Sequence, residues 1–515
     1  MALVVIPALL IVIAILILYN VNKNRCPPGS RPLPGPKNFP LIGRVHDIPP
    51  AMSWMKFYEW GKTYGPIYQL KVFGKVQIWV SSEKMAHDLF AKRSAIYSDR
   101  PVIGTLPDNR TSGLYLALMG RTETWKKQRK LSMQLMHPSI ANAFHGYPTR
   151  ERDRLLRNLC HRPSNYQDFI EQFTSRTISR VSWGTAHPAP MLRQTTFGLL
   201  ETISPASSPP NIISWLTHLP TRLSPWRRRE LARQVVERSL FNDSVAHVRD
   251  LSNAEEAQPP APNLTLTYLQ RNQAADEKSG KEADIGEATS VIGQLAIAGA
   301  LTIGSPIQSF LLAACHYPQW LQQLQMEIDT ALDGRCPEWT DSPKLPLLRA
   351  VVKEVIRWRP PVPTGIPHVA EKDDVYDGYF IPAGATIHAL EWAFTRDETV
   401  YPDPETFNPA RWLTPDYPTY REPLSIYPNL QGHSQFGFGP RMCVGVNLVE
   451  QCLFLAIGGL AWGFNVSKKR DLVSGAEIPI PWNEMTSMLI AKPVPFDFDL
   501  LPRQPCLLDD EKAGL

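Results

Sequence analysis

The sequence predicts a mainly α fold with small β-sheets, an α+β body carried behind a single apolar N-terminal helix. Three observations lead there. Segments with helical periodicity are long and frequent, from Pro148–Cys160 through Val446–Phe464. Strand signals are few and short, and two pairs of them close on turns at Phe73-Gly74 and Asp377-Gly378. The chain opens on an apolar run, Ala2–Tyr19, interrupted only by Pro7. The 515 residues are 43% hydrophobic and 20% charged, enough to bury a large core. The 49 prolines are nearly double the usual share of about 5% and predict many irregular connections.

Taken in order, the first element is the Ala2–Tyr19 run. At about 1.5 Å per residue it reaches roughly 27 Å, the thickness of an endoplasmic-reticulum bilayer. A cleaved signal peptide needs a charged start, a shorter core and a small-residue cleavage site, whereas Asn20-Val21-Asn22-Lys23 follows this core. Residues 1–20 are therefore expected to be an uncleaved transmembrane anchor. Lys23, Arg25, Arg31 and Lys37 come after it, so the positive-inside rule places the rest of the chain in the cytosol. The sequons at Asn109, Asn242, Asn263 and Asn465 should then stay unmodified. Residues 21–47, with Pro27-Pro28-Gly29 and Pro32-Leu33-Pro34-Gly35-Pro36, read as a stiff hinge. Residues 48–515 are expected to form one domain.

Within that domain, Ile67–Val72 and Lys75–Val80 read as one hairpin, and Val375-Tyr376 with Tyr379–Ile381 as another. Helices are expected over Pro148–Cys160, Gln167–Trp183, Glu287–His316, Pro318–Leu332, Leu347–Trp358 and Val446–Phe464. Residues 251–290 read as a loop containing a short helix. Ile212-Ile213-Ser214-Trp215-Leu216, followed by Trp226-Arg227-Arg228-Arg229, suits a second contact with membrane lipid and equally an ordinary core helix with a solvated end.

Several function classes drop out. The net charge of +5 comes with only short basic runs, so no nucleic acid is expected as a partner. None of the seven cysteines forms a C-x-x-C pair or has zinc spacing, which excludes a disulfide framework and suits a reducing compartment. Phosphate-loop, zinc-protease, hydrolase-elbow and dinucleotide glycine patterns are all missing. A redox enzyme of this kind would take its electrons from another protein.

The densest constellation is Phe436-Gly437-Phe438-Gly439-Pro440-Arg441-Met442-Cys443-Val444-Gly445. Its glycines and proline prevent regular structure and let backbone pass close to a flat object. Cys443 stands just before the apolar helix from Val446, where free N–H groups and the dipole favour a thiolate. A thiolate on a tight loop with Arg441 two residues earlier suits iron in a macrocycle that carries carboxylates. These residues resemble the F-x-x-G-x-R-x-C-x-G signature of the cytochrome P450 family, the haem-thiolate monooxygenases. Phe436, Gly439, Arg441, Cys443 and Gly445 fill its five specified positions. The resemblance extends from the anchor to the C-terminal region and implies the fold of that family, with haem b as cofactor and Cys443 as the axial iron ligand.

Other pieces follow in the family's order. Glu354 and Arg357 form E-x-x-R, and Phe407-Asn408-Pro409-Ala410-Arg411-Trp412 is similar to the family's partner segment. The resemblance implies a structural Glu354–Arg357–Arg411 network beneath the haem. Trp125 and Arg129, four apart on a helix, are suitable donors to a haem propionate, and His368 and Arg441 match two further propionate contacts. Ala296-Ile297-Ala298-Gly299-Ala300-Leu301-Thr302 aligns with the distal-helix pattern A/G-G-x-D/E-T, so Thr302 is expected to orient bound oxygen. A core threonine bonding back to a carbonyl is the alternative. The acid before it is replaced by Leu301.

The resemblance thus implies a monooxygenase on the endoplasmic-reticulum membrane, using O2 and electrons from NADPH-cytochrome P450 reductase. Ala461-Trp462-Gly463-Phe464-Asn465 and Ser487–Pro493 are similar to fungal members acting in secondary metabolism, which implies a small apolar or aromatic substrate. The pocket is expected from about 102–120, 294–302, 362–367 and 484–489. Two rivals remain: a haem-thiolate enzyme that does not hydroxylate (coupling, desaturation, isomerase or dehydratase chemistry), and a non-enzymatic anchored haem sensor.

Overall fold

The computed structural model describes residues 26–137, 146–204, 208–253, 261–279 and 285–504. The expected anchor lies outside the described residues, as does the start of the expected hinge.

The body is helical around two core helices. Val446–Gly463 is buried along almost its whole length. The other is the long apolar stretch from Ile285 to His316, which divides into Ile285–Thr302 and Gly304–His316 with Ile303 between them. The division falls where Gly304 and Pro306 weaken a continuous helix. Both stretches are long and apolar enough to cross a membrane, but 83% of each tested window is buried inside the protein, so packing accounts for their apolarity. Tyr166–Trp183 lies along the distal stretch, with Gly146–His161 packed against it. Ala189–Ile203 and Pro225–Asn253 cover the other side.

Three small sheets complete the fold. Ile67–Val72 and Lys75–Val80 pair antiparallel, and Lys75–Val80 continues in parallel to Thr386–Ala389, which pairs with His368–Val369. Asp374–Tyr376 and Tyr379–Ile381 form the second hairpin, and Phe464–Lys468 pairs with Phe498–Pro502. The expected helices and hairpins appear with ends shifted by a residue or two, and residues 251–290 contain the helix Leu264–Ser279.

Two features go beyond the sequence reading. The stiff hinge is tied to the body from Arg31 onward. Arg31–Pro32 pairs with Tyr379–Phe380, Leu33 is buried, and the Pro34 carbonyl accepts the Gln69 N–H at 2.8 Å. Gly35 passes so close to this sheet that a Cβ would lie 1.9 Å from the Gln69 carbonyl oxygen. Residues 212–223 are not a core helix: short 3-10 turns present Trp215 and Leu223 at 65% exposure each. Two sequons are closed by folding itself, because the Asn109 and Asn263 side chains are buried and hydrogen-bonded to backbone.

Candidate functional site

The cysteine loop is shaped by its own backbone. Gly439 has φ +55°, and a Cβ there would meet the Phe90 carbonyl oxygen at 2.5 Å, so both conformation and space require glycine. The Phe436 carbonyl accepts the Cys443 N–H at 2.8 Å. The Gly445 N–H donates to the Cys443 sulfur at 3.3 Å. Cys443 is exposed, unlike the buried Cys315 and Cys452. Although the side chain is open to solvent, the protein packed around it desolvates the thiol and pushes it up, against the pull of the Gly445 N–H and the Arg129 charge. A metal ion bound to the sulfur would deprotonate it outright.

Beside this loop the fold gathers four arginines. Trp125 and Arg129 come from the helix Glu123–Leu135, capped by Thr122, whose hydroxyl accepts the Trp125 N–H at 3.1 Å. Arg129 donates to the Met442 carbonyl. Arg441 donates to the carbonyls of Ser98 and Met119, both at 2.8 Å, with its guanidinium carbon 3.8 Å from the centre of the Trp125 ring. Arg100 donates to the carbonyls of Ile366 and Pro367 at 2.7 and 2.6 Å. Arg121 adds its charge nearby. His368, on its short strand, bonds through Nδ1 to the Tyr97 carbonyl at 2.6 Å.

Arg121 pairs with Glu371 at 3.4 Å, whereas Arg100, Arg129 and Arg441 make no ion pair among the described residues. Burial, with Arg100 and Arg129 adding to it, pushes Arg441 down to about 8, and burial pushes Arg100 down to about 9. Burial and the Arg100 charge also press His368 well below its ordinary value. Arginine keeps its proton in proteins, so these directions reflect chiefly the desolvation of the guanidiniums, with their mutual repulsion added at Arg441. Asp99 is the one carboxylate that opposes them at Arg441, and it is already engaged by Arg110 at 2.6 Å and the Arg121 N–H at 2.8 Å. Arg441 Nη1 and Arg129 Nε are buried without a hydrogen-bond partner. A planar group with two carboxylates fits this donor set. Arg100 was not anticipated from sequence, because a lone arginine in Asp99-Arg100-Pro101 carries no motif.

On the distal helix, residues 291–297 are all buried, whereas Ala298 is exposed and Gly299, Leu301 and Thr302 are half-buried. A strip of small residues therefore borders accessible space in mid-core. The Thr302 hydroxyl donates to the Ala298 carbonyl at 2.9 Å, the back-bond of the alternative reading. Its oxygen lone pairs remain available to accept.

Glu354, Arg357 and Arg411 come together with no exposed surface. Arg357 grips Glu354 with Nε and Nη2 at 2.9 and 2.7 Å, and Arg411 Nε reaches it at 3.0 Å. Trp412 Nε1 and the Asn408 N–H complete the carboxylate's partners at 3.0 and 2.9 Å. The spare arginine donors go to carbonyls of residues 395–406, among them Thr395 and Pro404.

Comparison with known proteins agrees with this geometry. Residues 33–478 match the family model described as cytochrome P450. Cytochrome P450 monooxygenase virE of Hypocrea virens is 30% identical over 502 residues, 95% of this chain and 88% of the relative. Cytochrome P450 monooxygenase fogE of Aspergillus ruber is 30% identical over 515 residues, 98% and 92% of the two chains. Cytochrome P450 monooxygenase ple1 of Rhodocybe pseudopiperita is 30% identical over 515 residues, 96% and 94%. A cysteine loop facing an arginine cluster, in a chain matched along nearly its whole length, belongs to the cytochrome P450 family: this protein is a haem-iron monooxygenase that works with dioxygen, a redox partner and an organic substrate.

Proposed function

We propose that this monooxygenase inserts one oxygen atom into a small apolar or aromatic metabolite of fungal secondary metabolism: RH + O2 + two electrons + two protons give ROH + H2O. The observation that carries the haem site is the gathering of Arg100, Arg129 and Arg441 beside Cys443, with Arg441 Nη1 and Arg129 Nε buried and without a hydrogen-bond partner. Haem b, once bound, supplies oxygen activation at its iron, and thiolate ligation favours O–O cleavage. Cys443 would hold the iron, with the Gly445 N–H and Arg129 holding its negative charge. Arg100, Arg129 and Arg441, with Trp125 and His368, would take the propionates, and a carboxylate beside His368 would favour its protonated form. Phe436, Gly439 and Gly445 shape the loop around the ligand. Glu354, Arg357 and Arg411 anchor residues 395–412 beneath it.

On the distal helix the exposed Ala298 would leave room for oxygen and substrate, while Gly299 admits Ile178 of Tyr166–Trp183, which a Cβ would meet at 2.9 Å. Thr302, its own proton given to Ala298, would accept a hydrogen bond from water or hold one in place. Leu301 can carry no proton, so delivery runs through Thr302 and water. This is the feature that favours the second reading, a haem-thiolate enzyme of non-hydroxylating type. Electrons would come from NADPH-cytochrome P450 reductase. The anchor at residues 1–20 would hold the body on the endoplasmic-reticulum membrane, with Trp215 and Leu223 touching lipid.

The test is Cys443→Ser in the full chain. It should abolish the red-shifted carbonyl band of the reduced protein, while the wild type with reductase and NADPH converts members of a metabolite library, read by mass spectrometry. Survival of the band in the variant would place the ligand elsewhere. Turnover without reductase would select the second reading.

A further inference from the structure

One side chain fastens the turn that leads into the cysteine loop. The His433 carbonyl accepts the Phe436 N–H at 3.0 Å, the Ser434 carbonyl accepts the Gly437 N–H at 2.8 Å, and the Phe436 carbonyl accepts the Cys443 N–H. These bonds close the loop on itself. Among the described residues, one hydrogen bond ties residues 432–440 to a helix or strand outside that stretch: the Ser434 hydroxyl donates to Glu391 Oε2 at 2.9 Å. Phe438 adds ring contacts with Phe90 and Phe394, but apolar packing has no direction with which to set a turn.

Glu391 stands on a rigid platform. It opens the short helix Glu391–Phe394 just after the strand Thr386–Ala389. On one side of it the Leu390 N–H donates to the Val80 carbonyl at 2.9 Å, and on the other the Trp392 N–H donates to the Pro363 carbonyl at 3.0 Å. Leu390, Glu391, Trp392 and Ser434 are all buried. No cation faces the carboxyl, and the one charged group acting on it among the described residues is Glu83. Burial pushes Glu391 well above the usual carboxylate range, Glu83 adds to this, and the Ser434 hydroxyl pulls the other way. A neutral carboxyl keeps an acceptor oxygen for Ser434 and escapes the cost of an unpaired buried charge.

We propose that Glu391 is a positioning residue for the iron ligand: by holding Ser434 it fixes the turn whose Phe436 carbonyl takes the Cys443 N–H, and so keeps the sulfur on the iron. This rests on the haem-enzyme reading above. One neutral hydrogen bond sets a factor of about three to ten on how long the sulfur stays bound. Ser434→Ala removes the donor and changes little volume. Glu391→Leu removes the acceptor, and Glu391→Gln keeps one.

The detergent-solubilised full chain is reduced under carbon monoxide at a fixed, sub-denaturing urea concentration, and the decay of the red-shifted band is timed. The reduction potential of the iron is measured alongside, and the urea midpoint is followed by circular dichroism. Ser434→Ala should shorten the lifetime of the band about three- to tenfold. It should also move the potential upward, because a thiolate held less firmly pushes less electron density onto the iron. Glu391→Leu should do the same, whereas Glu391→Gln, which still accepts the Ser434 hydroxyl, should keep both readings at their wild-type values. If the leucine variant does not fold, Ser434→Ala and Glu391→Gln decide the matter. A potential unchanged in Ser434→Ala, whatever the urea midpoint does, makes the contact structural only and overturns the positioning role. A glutamine variant as labile as Ser434→Ala also overturns it, since the bond would then not be what acts. A wild type with no red-shifted band at all overturns the haem reading beneath it.

Discussion

Replacing Glu354 by glutamine changes no volume and removes one charge, which isolates the contribution of the buried network. The carboxylate accepts five hydrogen bonds: two from Arg357, and one each from Arg411, Trp412 and Asn408. Glutamine keeps one acceptor oxygen and puts an NH2 donor where the other stood. With the amide nitrogen in the Oε2 position, Arg357 Nε and Trp412 Nε1 lose their acceptor. In the Oε1 position, Arg357 Nη2, Arg411 Nε and the Asn408 N–H lose theirs. At least two buried donors are orphaned either way, and two guanidiniums face no anion. Breaking a buried ion pair from one side costs about 3–5 kcal/mol, a large share of the roughly 5–15 kcal/mol that holds a domain folded. Urea titration of the full chain, followed by the carbonyl band of the reduced protein, should show that loss together with lower haem content. Lys56→Gln serves as the control, since the Lys56–Glu59 pair at 2.9 Å is exposed and contributes less than about 1 kcal/mol. If Glu354→Gln shifts the midpoint no more than Lys56→Gln does, the network is not what holds residues 395–412 in place.

Deleting residues 1–25 should move the protein from membrane toward soluble fractions with its haem retained; a truncated form that stays on membranes until Trp215 and Leu223 are changed to serine would transfer the attachment to those exposed side chains. Leu301→Asp should raise product and lower peroxide per NADPH. General acid–base assistance is typically worth about 10²–10⁴-fold, and position 301 is only half-buried, so the carboxylate can reach water. A wild type already fully coupled, with an aspartate variant that is merely slower, would show that the native chemistry does not need the acid and would favour the non-hydroxylating reading.

The cysteine loop was legible in the chain because its requirements are local. A ligand, a positive-φ glycine and an arginine must stand at fixed spacing on one short stretch of backbone. The same holds for the Phe73-Gly74 and Asp377-Gly378 turns, where both central residues have positive φ. Glu354 and Arg357 were legible as a pair through helical spacing, and Arg411 only through resemblance.

Tertiary structure alone decided the rest. It laid Lys75–Val80 parallel to Thr386–Ala389 and wove Arg31–Pro32 into a sheet. It also brought Arg100 to Arg441 and Arg129. The sequence determined which short segments could bend, cap or bind, because φ preferences and hydrogen-bond spacing act between near neighbours. Which distant charges share one desolvated space depends on how the helices pack, and an arginine read along the chain looks the same whether it ends in water or beside two others.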